Sequence, residues 1–332
     1  MRSRGKSPVV AAVMMVAGLS LFAPAVFAAD LLRLVPEKAV AVGMVEIAEL
    51  RDTPATRRLF EDTDRIAADG DAARFMEEAG LDPARDVDRL LLAVYPDPKD
   101  ATEGEMLVVF EGRFDQARLA AAAVARGALP QASAGRTYYL IEDAHDEGED
   151  EEETAAVCFV SASLVLAGTE PAVVDALARL ASGGSAFSSA SGIGREMNRI
   201  EEGSTAWLLL DVQRSARLKS SPNERAGGGV EDQITPVVRK LSTVALWARG
   251  TSDQLRFGAT AVTFDAETRE LLEDFLRGLT AGWRMAAQEK NPEWVAVLRQ
   301  IEITQVDDGV QLNGSIPLDL LKKQAGEMAE KR

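Results

Sequence analysis

The residues best suited to chemistry in this chain are the carboxylates of the stretch AHDEGEDEEETAA (144–156), which also holds the only histidine, His145. Calcium binds six to eight oxygens, and an EF-type loop places acids at positions 1, 3, 5 and 12 and glycine at position 6. A loop that starts at Asp143 has Gly148 at position 6, but it has His145 at position 3 and Thr154 at position 12. We therefore predict a solvated loop without a defined metal site, although weak attraction of Ca²⁺ or Mg²⁺ by its clustered charge stays open.

The sequence lacks the motifs of the common catalytic and cofactor-binding classes. Apart from an S-x-x-K match at Ser3–Lys6, within the N-terminal segment, it contains no G-x-S-x-G, S-x-x-K, H-E-x-x-H, Walker A or complete G-x-G-x-x-G pattern. One histidine and one cysteine fall short of a zinc site, and Cys158, between Val157 and Phe159, is typical of a buried strand residue. We predict no catalytic, cofactor-binding or metal-binding residues and no cofactor, although a pair among the 53 acidic residues could still form a hydrolytic site.

The amino terminus has the pattern of an export signal. MRSRGK supplies three basic residues, Val9–Ala23 is apolar, and small residues follow up to Ala28. This pattern predicts a signal peptide at 1–28 and a periplasmic or secreted protein. The alternative is an uncleaved anchor, because the 20 residues from Val9 to Ala28 are long enough to span a bilayer.

The charge of the chain restricts its partners. The net charge is −16, and removal of the predicted signal peptide, which has three basic and no acidic residues, would make it −19. Such a surface repels nucleic acid and anionic lipid, so we expect no nucleic-acid partner and membrane contact only through an uncleaved N-terminal segment. The single cysteine cannot form an internal disulfide, so core packing must stabilise the fold.

An internal repeat is visible in the order of the predicted elements. Five pairs of segments correspond: AVAVGMVEIAEL (39–50) with STAWLLLDVQRS (204–215), RLLLAVY (89–95) with LSTVALWA (241–248), EMLVVFEGRFD (105–115) with QLRFGATAVTFD (254–265), RTYYLIED (136–143) with QIEITQV (300–306), and TAAVCFVSASLVLAG (154–168) with GVQLNGSIPL (309–318). With the intervening helices, each copy is predicted as strand–helix–strand–strand–helix–strand–strand–helix. The predicted fold class is therefore α+β, a tandem repeat of a unit related to the ferredoxin-like fold, with antiparallel sheets and helices on one face.

The repeat sets the predicted domain boundaries. They are a first α+β repeat at 30–181, a Gly/Ser-rich linker at 182–203 and a second α+β repeat at 204–332. The two sheets could form one continuous sheet or two packed lobes. In this alignment the acidic stretch 142–153 takes the place of the tight turn DDG at 307–309, which indicates an enlarged loop rather than a site.

Several residues have predicted roles within these elements. Asp115 and Asp265 each precede a predicted helix and should cap its first turn. Strand alternation over 301–316 predicts one buried and one solvated face, whereas LLLAV (90–94) and MLVVF (106–110) should be buried on both faces. The residues predicted to lie in the core include a helical stripe and the four tryptophans: Leu271, Leu272, Phe275, Leu276, Leu279, Trp207, Trp247, Trp283 and Trp294.

Three stretches carry a family resemblance. LVPEKAVAVGMVEI (34–47), EEAGLDPARDVDRLLLAV (77–94) and VQLNGSIPLDLLKK (310–323) resemble segments of an uncharacterised family of exported bacterial proteins. In that family a duplicated α+β domain follows a signal peptide. The resemblance implies this architecture and no catalytic residues, and the acidic insert at 142–153 departs from it.

These observations predict a non-catalytic exported protein of the cell envelope that acts as a binding or scaffolding module, with an unidentified protein or small molecule as its partner. Two alternatives come from other functional classes. One is a carboxylate-dependent hydrolase, which a pair of carboxyls with shifted pKa values in a cleft would favour. The other is a carrier of an apolar ligand between sheet and helices, which a large apolar cavity would favour.

Overall fold

The computed structural model of the chain describes residues 31–51, 71–97, 100–141, 155–183, 187–190, 192–218, 240–321 and 323. The predicted signal peptide and the acidic stretch 142–153 lie outside these residues, so both stay predictions. Antiparallel strands and helices make up the described chain, which confirms the α+β class. No helix among the described residues combines the length and the apolar character needed to cross a bilayer.

The chain folds as two compact units. Unit 1 contains the described residues up to Pro36, Met44–Val94 and Glu105–Phe187, and unit 2 contains Glu37–Gly43, Tyr95–Gly104 and the residues from Ser188 onward. Strand β1 (Ala41–Val45) is divided between the units after Gly43.

Unit 1 combines five helices with most of the first seven strands in its described part. Its helices are α1 (Ile47–Arg51), α2 (Asp71–Ala79), α3 (Pro83–Asp86), α4 (Gln116–Ala125) and α5 (Glu170–Ser182). Its strands after β1 are β2 (Val87–Pro96), β3 (Gly104–Gly112), β4 (Leu129–Ser133), β5 (Arg136–Ile141), β6 (Ala155–Ser161) and β7 (Leu164–Thr169).

The sheet of unit 1 has the order β1-β2-β3-β7-β6-β5-β4, with antiparallel pairing from β3 to β4. Leu90 and Leu91 of β2 are both buried, as are Leu107, Val108 and Val109 of β3. Consecutive strand residues point to opposite faces, so these strands are covered on both sides, as their sequence predicts.

Unit 2 is built from five further strands and four helical segments among its described residues. The strands are β8 (Ala206–Asp211), β9 (Leu241–Gly250), β10 (Gln254–Thr263), β11 (Glu302–Val306) and β12 (Gly309–Pro317). The helical segments are a 3₁₀ helix (Gly192–Arg199), α6 (Val212–Ser215), α7 (Ala266–Lys290) and α8 (Pro292–Arg299). The 3₁₀ helix lies within the predicted linker 182–203, and its Ile193 and Gly194 are buried.

The sheet of unit 2 has the order β8-β9-β10-β12-β11, and every neighbouring pair is antiparallel. Leu272 of α7 packs on it in a core with Ile303 and Val310, whereas Glu302 and Thr304 are exposed. The predicted alternation is therefore confirmed over 302–304 of β11, whereas residues 311–316 of β12 are all half-buried, so burial does not alternate along that strand.

The two predicted helix caps are confirmed. A carboxylate oxygen of Asp115 accepts a hydrogen bond from the backbone N–H of Arg118 at 3.1 Å, at the start of α4. Asp265 accepts from the N–H of Thr268 at 2.7 Å at the start of α7, and this bond lowers the pKa of Asp265. Each cap satisfies a donor that has no partner within its helix.

Part of the predicted core is wrong. Trp207 and Trp247 are buried, but Leu271 and Trp283 are exposed by 51% and 50%. Successive helix residues are turned by about 100°, so Leu271 cannot face the sheet when Leu272 does. Trp283 lies in the second half of α7, beyond the part of the helix that packs in this core.

Candidate functional site

Carboxylates and a guanidinium meet inside unit 1, at the ends of adjacent strands. Glu46 follows β1 and Arg89 lies on β2, and the two residues are 9% and 8% exposed. The Arg89 Nε donates to both carboxylate oxygens of Glu46, at 2.9 and 3.0 Å, and Nη1 donates to Glu111 Oε2 of β3 at 2.8 Å. The chain therefore buries one arginine between two glutamates.

Burial raises the pKa values of two glutamates here, Glu46 and its neighbour Glu49 on α1. It raises the pKa of Glu46, against the opposing charge and hydrogen bonds of Arg89. It also raises the pKa of Glu49 on α1 to about 7, and the nearby Glu46 charge adds to this effect. A carboxyl that titrates near pH 7 has the property required of a general acid or base.

Glu49 provides a test of this electrostatic picture. A carboxyl with a raised pKa in the folded state costs stability as the pH rises from about 4.5 to about 7, because unfolding lets it ionise freely. We expect Glu49→Gln to stabilise the protein at pH 8 by about 1 kcal/mol, since solvent screens this partly buried group. At pH 4.5 the gain should disappear.

The measurement is thermal unfolding of both proteins, followed by circular dichroism between pH 4.5 and 8. Glu77→Gln makes the same chemical change at an exposed position on α2 and serves as the control. An effect of Glu49→Gln that is equal at both pH values would contradict a raised pKa.

Two cavities lie between described residues of unit 2, and neither is lined by Glu46, Glu49 or Arg89. The first has a volume of about 390 Å³ and lies between α8 and the chain that follows β12. Its wall includes Val297, Pro317 and Leu320, and the Lys323 Nζ forms an ion pair with Glu293 at its edge. The hypothesis that the protein carries an apolar ligand stays a prediction, and this cavity is where such a ligand would bind.

A second feature is a group of large apolar side chains that face solvent along α7. Seven such residues are exposed in the described chain, and four of them fall between 264 and 285. Phe264 (67% exposed) directly precedes α7, and Leu271 (51%), Trp283 (50%) and Met285 (68%) lie on it. At about 100° per residue, Leu271 and Met285 are about 40° apart around the helix, whereas Trp283 is about 120° from Leu271. We therefore call Leu271 and Met285 the α7 apolar surface, because exposed apolar side chains on one side of a helix are a feature of surfaces that bind other molecules.

The structure describes only some of the residues that the sequence analysis considered for chemistry. His145 and the acidic stretch lie outside the described residues. Cys158 is buried in β6, its thiol donates to the Thr137 carbonyl at 3.2 Å, and burial raises its pKa to about 11, which confirms it as a core residue. The described residues hold no group of three or more His, Cys, Asp or Glu side chains placed to bind a metal.

Sequence reasoning missed the Glu46–Arg89 pair, whose members are 43 residues apart. The one available signal was the position of Arg89, a charge directly before the apolar run LLLAV. A charge at the start of a strand buried on both faces requires a partner.

Comparisons with known proteins give no family. No protein-family description matches the chain, and no curated protein matches it. Among solved structures, crystal form III of TP0453 aligns over 88% of this chain and 96% of that chain, at 12% identity and a TM-score of 0.49. Crystal forms I and IV of TP0453 align over 88% and 94% of the two chains, at 11% identity and TM-scores of 0.46.

Proposed function

We propose that this chain is a non-catalytic, exported binding module of the cell envelope, and that the α7 apolar surface contacts its partner. The observation that carries the proposal is that two large apolar side chains on one side of α7, Leu271 and Met285, are exposed by 51% and 68%. A partner that covers both would bury this apolar area.

The charge around this surface indicates what the partner presents. Glu267, Glu270 and Asp274 are exposed on the same half of α7 as Leu271, and the chain as a whole carries a net charge of −16. Interfaces pair apolar centres with complementary charges at their rims. The proposed partner is therefore a protein with an apolar patch flanked by lysine or arginine.

The export assignment is part of the same proposal. The signal-peptide pattern of 1–28 supports a periplasmic or secreted location, and the resemblance to an uncharacterised exported bacterial family agrees with it. The proposed domains are the first repeat at 30–181 and the second repeat at 204–332, separated by 182–203.

The order of the strands supports the proposed tandem repeat. The order β1-β2-β3-β7-β6 in unit 1 has the same connectivity as β8-β9-β10-β12-β11 in unit 2. In both units the helix after the third of these strands begins after a capping aspartate, Asp115 or Asp265. The hairpin β4–β5 is then an addition to the first copy.

This strand order requires a different alignment of the two proposed repeats from the one predicted by their sequence patterns. β12 lies beside β10 as β7 lies beside β3, so the turn at Asp307 and Asp308 corresponds to the turn at Ala162 and Ser163. In both units a backbone N–H from the neighbouring part of the chain donates to a carbonyl oxygen of this turn. Phe114, just after β3, donates to Ala162, and Thr263, the last residue of β10, donates to Asp308. The acidic stretch 142–153 is then no counterpart of the 307–309 turn, so its comparison with that turn no longer indicates an enlarged loop.

The experiment compares the partners of the wild type with those of Leu271→Ser/Met285→Ser. Purified protein is photo-crosslinked in an envelope extract, and the captured protein is then purified and its affinity measured. We expect at least tenfold weaker binding by the variant, and binding that weakens with salt. The control Val124→Ser/Leu129→Ser changes two exposed apolar residues of unit 1 and should bind as the wild type does.

Three outcomes would contradict the proposal. They are equal binding by the α7 variant, self-association of the wild type that the α7 variant abolishes, and binding to lipid vesicles without any protein partner. Unchanged circular dichroism of both variants shows that the fold is intact.

A second candidate function, a carboxylate-dependent hydrolase, is favoured by one observation, the raised pKa of Glu49 beside Glu46. Its test is hydrolysis of a panel of chromogenic glycosides and esters across pH 4.5–8. Activity that Glu49→Gln abolishes, in a variant that remains folded, would support the hydrolase over the binding module.

A further inference from the structure

A second cavity in unit 2 is lined by three arginines. It has a volume of about 330 Å³ and lies between α7, the end of α8 and the chain that leads into β11. Arg277 and Arg284 are seven residues apart on α7, two helical turns, so they lie on the same face of the helix. Arg299, the last residue of α8, completes the set, and Leu298, Ile301 and Ile303 form apolar walls.

The positive charge of this cavity is only partly compensated. Arg277 forms an ion pair with Glu273, one turn earlier on α7, and its Nη2 lies 3.5 Å from the Ile303 carbonyl oxygen. Arg284 and Arg299 have no hydrogen bond or ion pair with any described residue, and the lining contains no carboxylate. The three guanidiniums and Glu273 together leave a net charge of about +2 at the cavity.

This arrangement has an electrostatic cost that a ligand would offset. Arg277 and Arg299 are exposed and Arg284 is half-buried, so solvent screens part of the repulsion among the three guanidiniums, and a bound anion would offset the rest. The last turn of α8 favours a cation, which accounts for Arg299. It does not account for Arg284, which lies inside α7 and faces the same cavity.

We propose that this cavity binds a phosphate group, either as the free ion or as part of a small organic molecule. A phosphate dianion matches the net charge, and its oxygens accept the paired N–H donors of guanidinium groups. The Thr280 hydroxyl, also in the lining, donates to the carbonyls of Leu276 and Arg277 at 3.0 and 2.9 Å, so the arginines are the donors for the ligand. The volume is at the small end of ligand pockets and leaves room for a modest organic substituent.

The cavity is an exception to the overall charge of the protein. A chain with a net charge of −16 repels phosphate at long range, but this repulsion is screened within about 8–10 Å at ordinary salt. Local contacts with Arg284 and Arg299, two guanidiniums without a partner among the described residues, then decide binding. The inference does not depend on the α7 apolar surface, and it holds whether or not that surface binds a protein.

The test is isothermal titration calorimetry of the purified wild type and Arg284→Gln/Arg299→Gln with inorganic phosphate, glycerol 3-phosphate and succinate. We expect the wild type to bind phosphate or its ester, and the double variant to bind it at least tenfold more weakly. Tighter binding of the ester would identify an organic phosphate as the ligand, and equal binding would identify the free ion. Arg269→Gln is the matched control, because Arg269 is also on α7 but donates to the Asp307 carbonyl outside the cavity.

Several results would overturn the inference. They are binding of neither inorganic phosphate nor glycerol 3-phosphate by the wild type at millimolar concentration, unchanged binding by the double variant, and succinate binding as tight as that of the better phosphate ligand. Thermal unfolding gives an independent readout: phosphate should raise the melting temperature of the wild type and of Arg269→Gln, but not that of the double variant.

Discussion

Replacement of Arg89 by methionine should destabilise the protein by about 3–5 kcal/mol at pH 8, one of the largest losses expected from a single substitution. Arg89 is buried and neutralises Glu46 through two hydrogen bonds, while its third bond holds Glu111. Without the guanidinium, Glu46 must either stay charged in a buried environment or take up a proton. The loss should therefore be smaller at pH 5, where protonation of Glu46 is easy, than at pH 8.

The loss is measured by urea unfolding at both pH values, followed by far-UV circular dichroism. Glu46→Gln/Arg89→Met removes the isolated charge and should recover most of the stability. Arg113→Met, which breaks an exposed ion pair with Asp88, should cost no more than about 1 kcal/mol. A double variant as unstable as Arg89→Met would show that Arg89 acts through packing and not through charge.

The features that sequence predicts well are those decided within a few residues. Asp115 and Asp265 cap their helices because a short polar side chain directly before an apolar helical pattern has little else to bind. The hairpin of β11 and β12 follows from the tight-turn signal at 307–309 together with the alternation in β11, and the burial of Leu90 and Leu91 follows from an uninterrupted apolar run.

The features that sequence misses depend on which elements become neighbours. Glu46 and Arg89 meet because β1 lies beside β2, and Arg284 meets Arg299 because α7 and α8 converge at β11. A helical stripe shows that a face is apolar, but it does not show how wide the contact with the sheet is, so Leu271 was misplaced. Hairpins of similar length and pattern also look alike, so the correspondence of β6–β7 with β11–β12 required the strand order.

The distribution of charge connects these missed features. Acidic side chains dominate the sequence, yet both candidate sites among the described residues contain arginines, Arg89 in unit 1 and Arg284 with Arg299 in unit 2. In the first cluster, glutamates of the chain supply the counter-charge. In the second, no described carboxylate pairs with Arg284 or Arg299, and this difference separates a structural ion pair from a candidate ligand site.

Gly168→Ala should be the other severe substitution, with an expected loss of about 4 kcal/mol. Gly168 lies near the end of β7 with a φ of +148°, a conformation that costs residues with a side chain about 1–3 kcal/mol. A Cβ there would stand 2.0 Å from the Met106 carbonyl oxygen on β3, the strand paired with β7. Backbone in the middle of a sheet cannot move away cheaply, so overpacking adds about 1–3 kcal/mol.

Urea unfolding of variants at two further glycines separates the cost of the backbone conformation from the cost of the clash with Met106. Gly183, after α5, has a φ of +65° but no atom within 4 Å of its Cβ position, so Gly183→Ala should show the backbone cost alone, about 1–2 kcal/mol. Gly278, inside α7, has open space and helical geometry, so Gly278→Ala should stabilise the protein by up to about 1 kcal/mol. If Gly168→Ala costs no more than Gly183→Ala, β3 and β7 do not approach each other as closely as the paired strands require, because the clash with Met106 is what distinguishes the two sites.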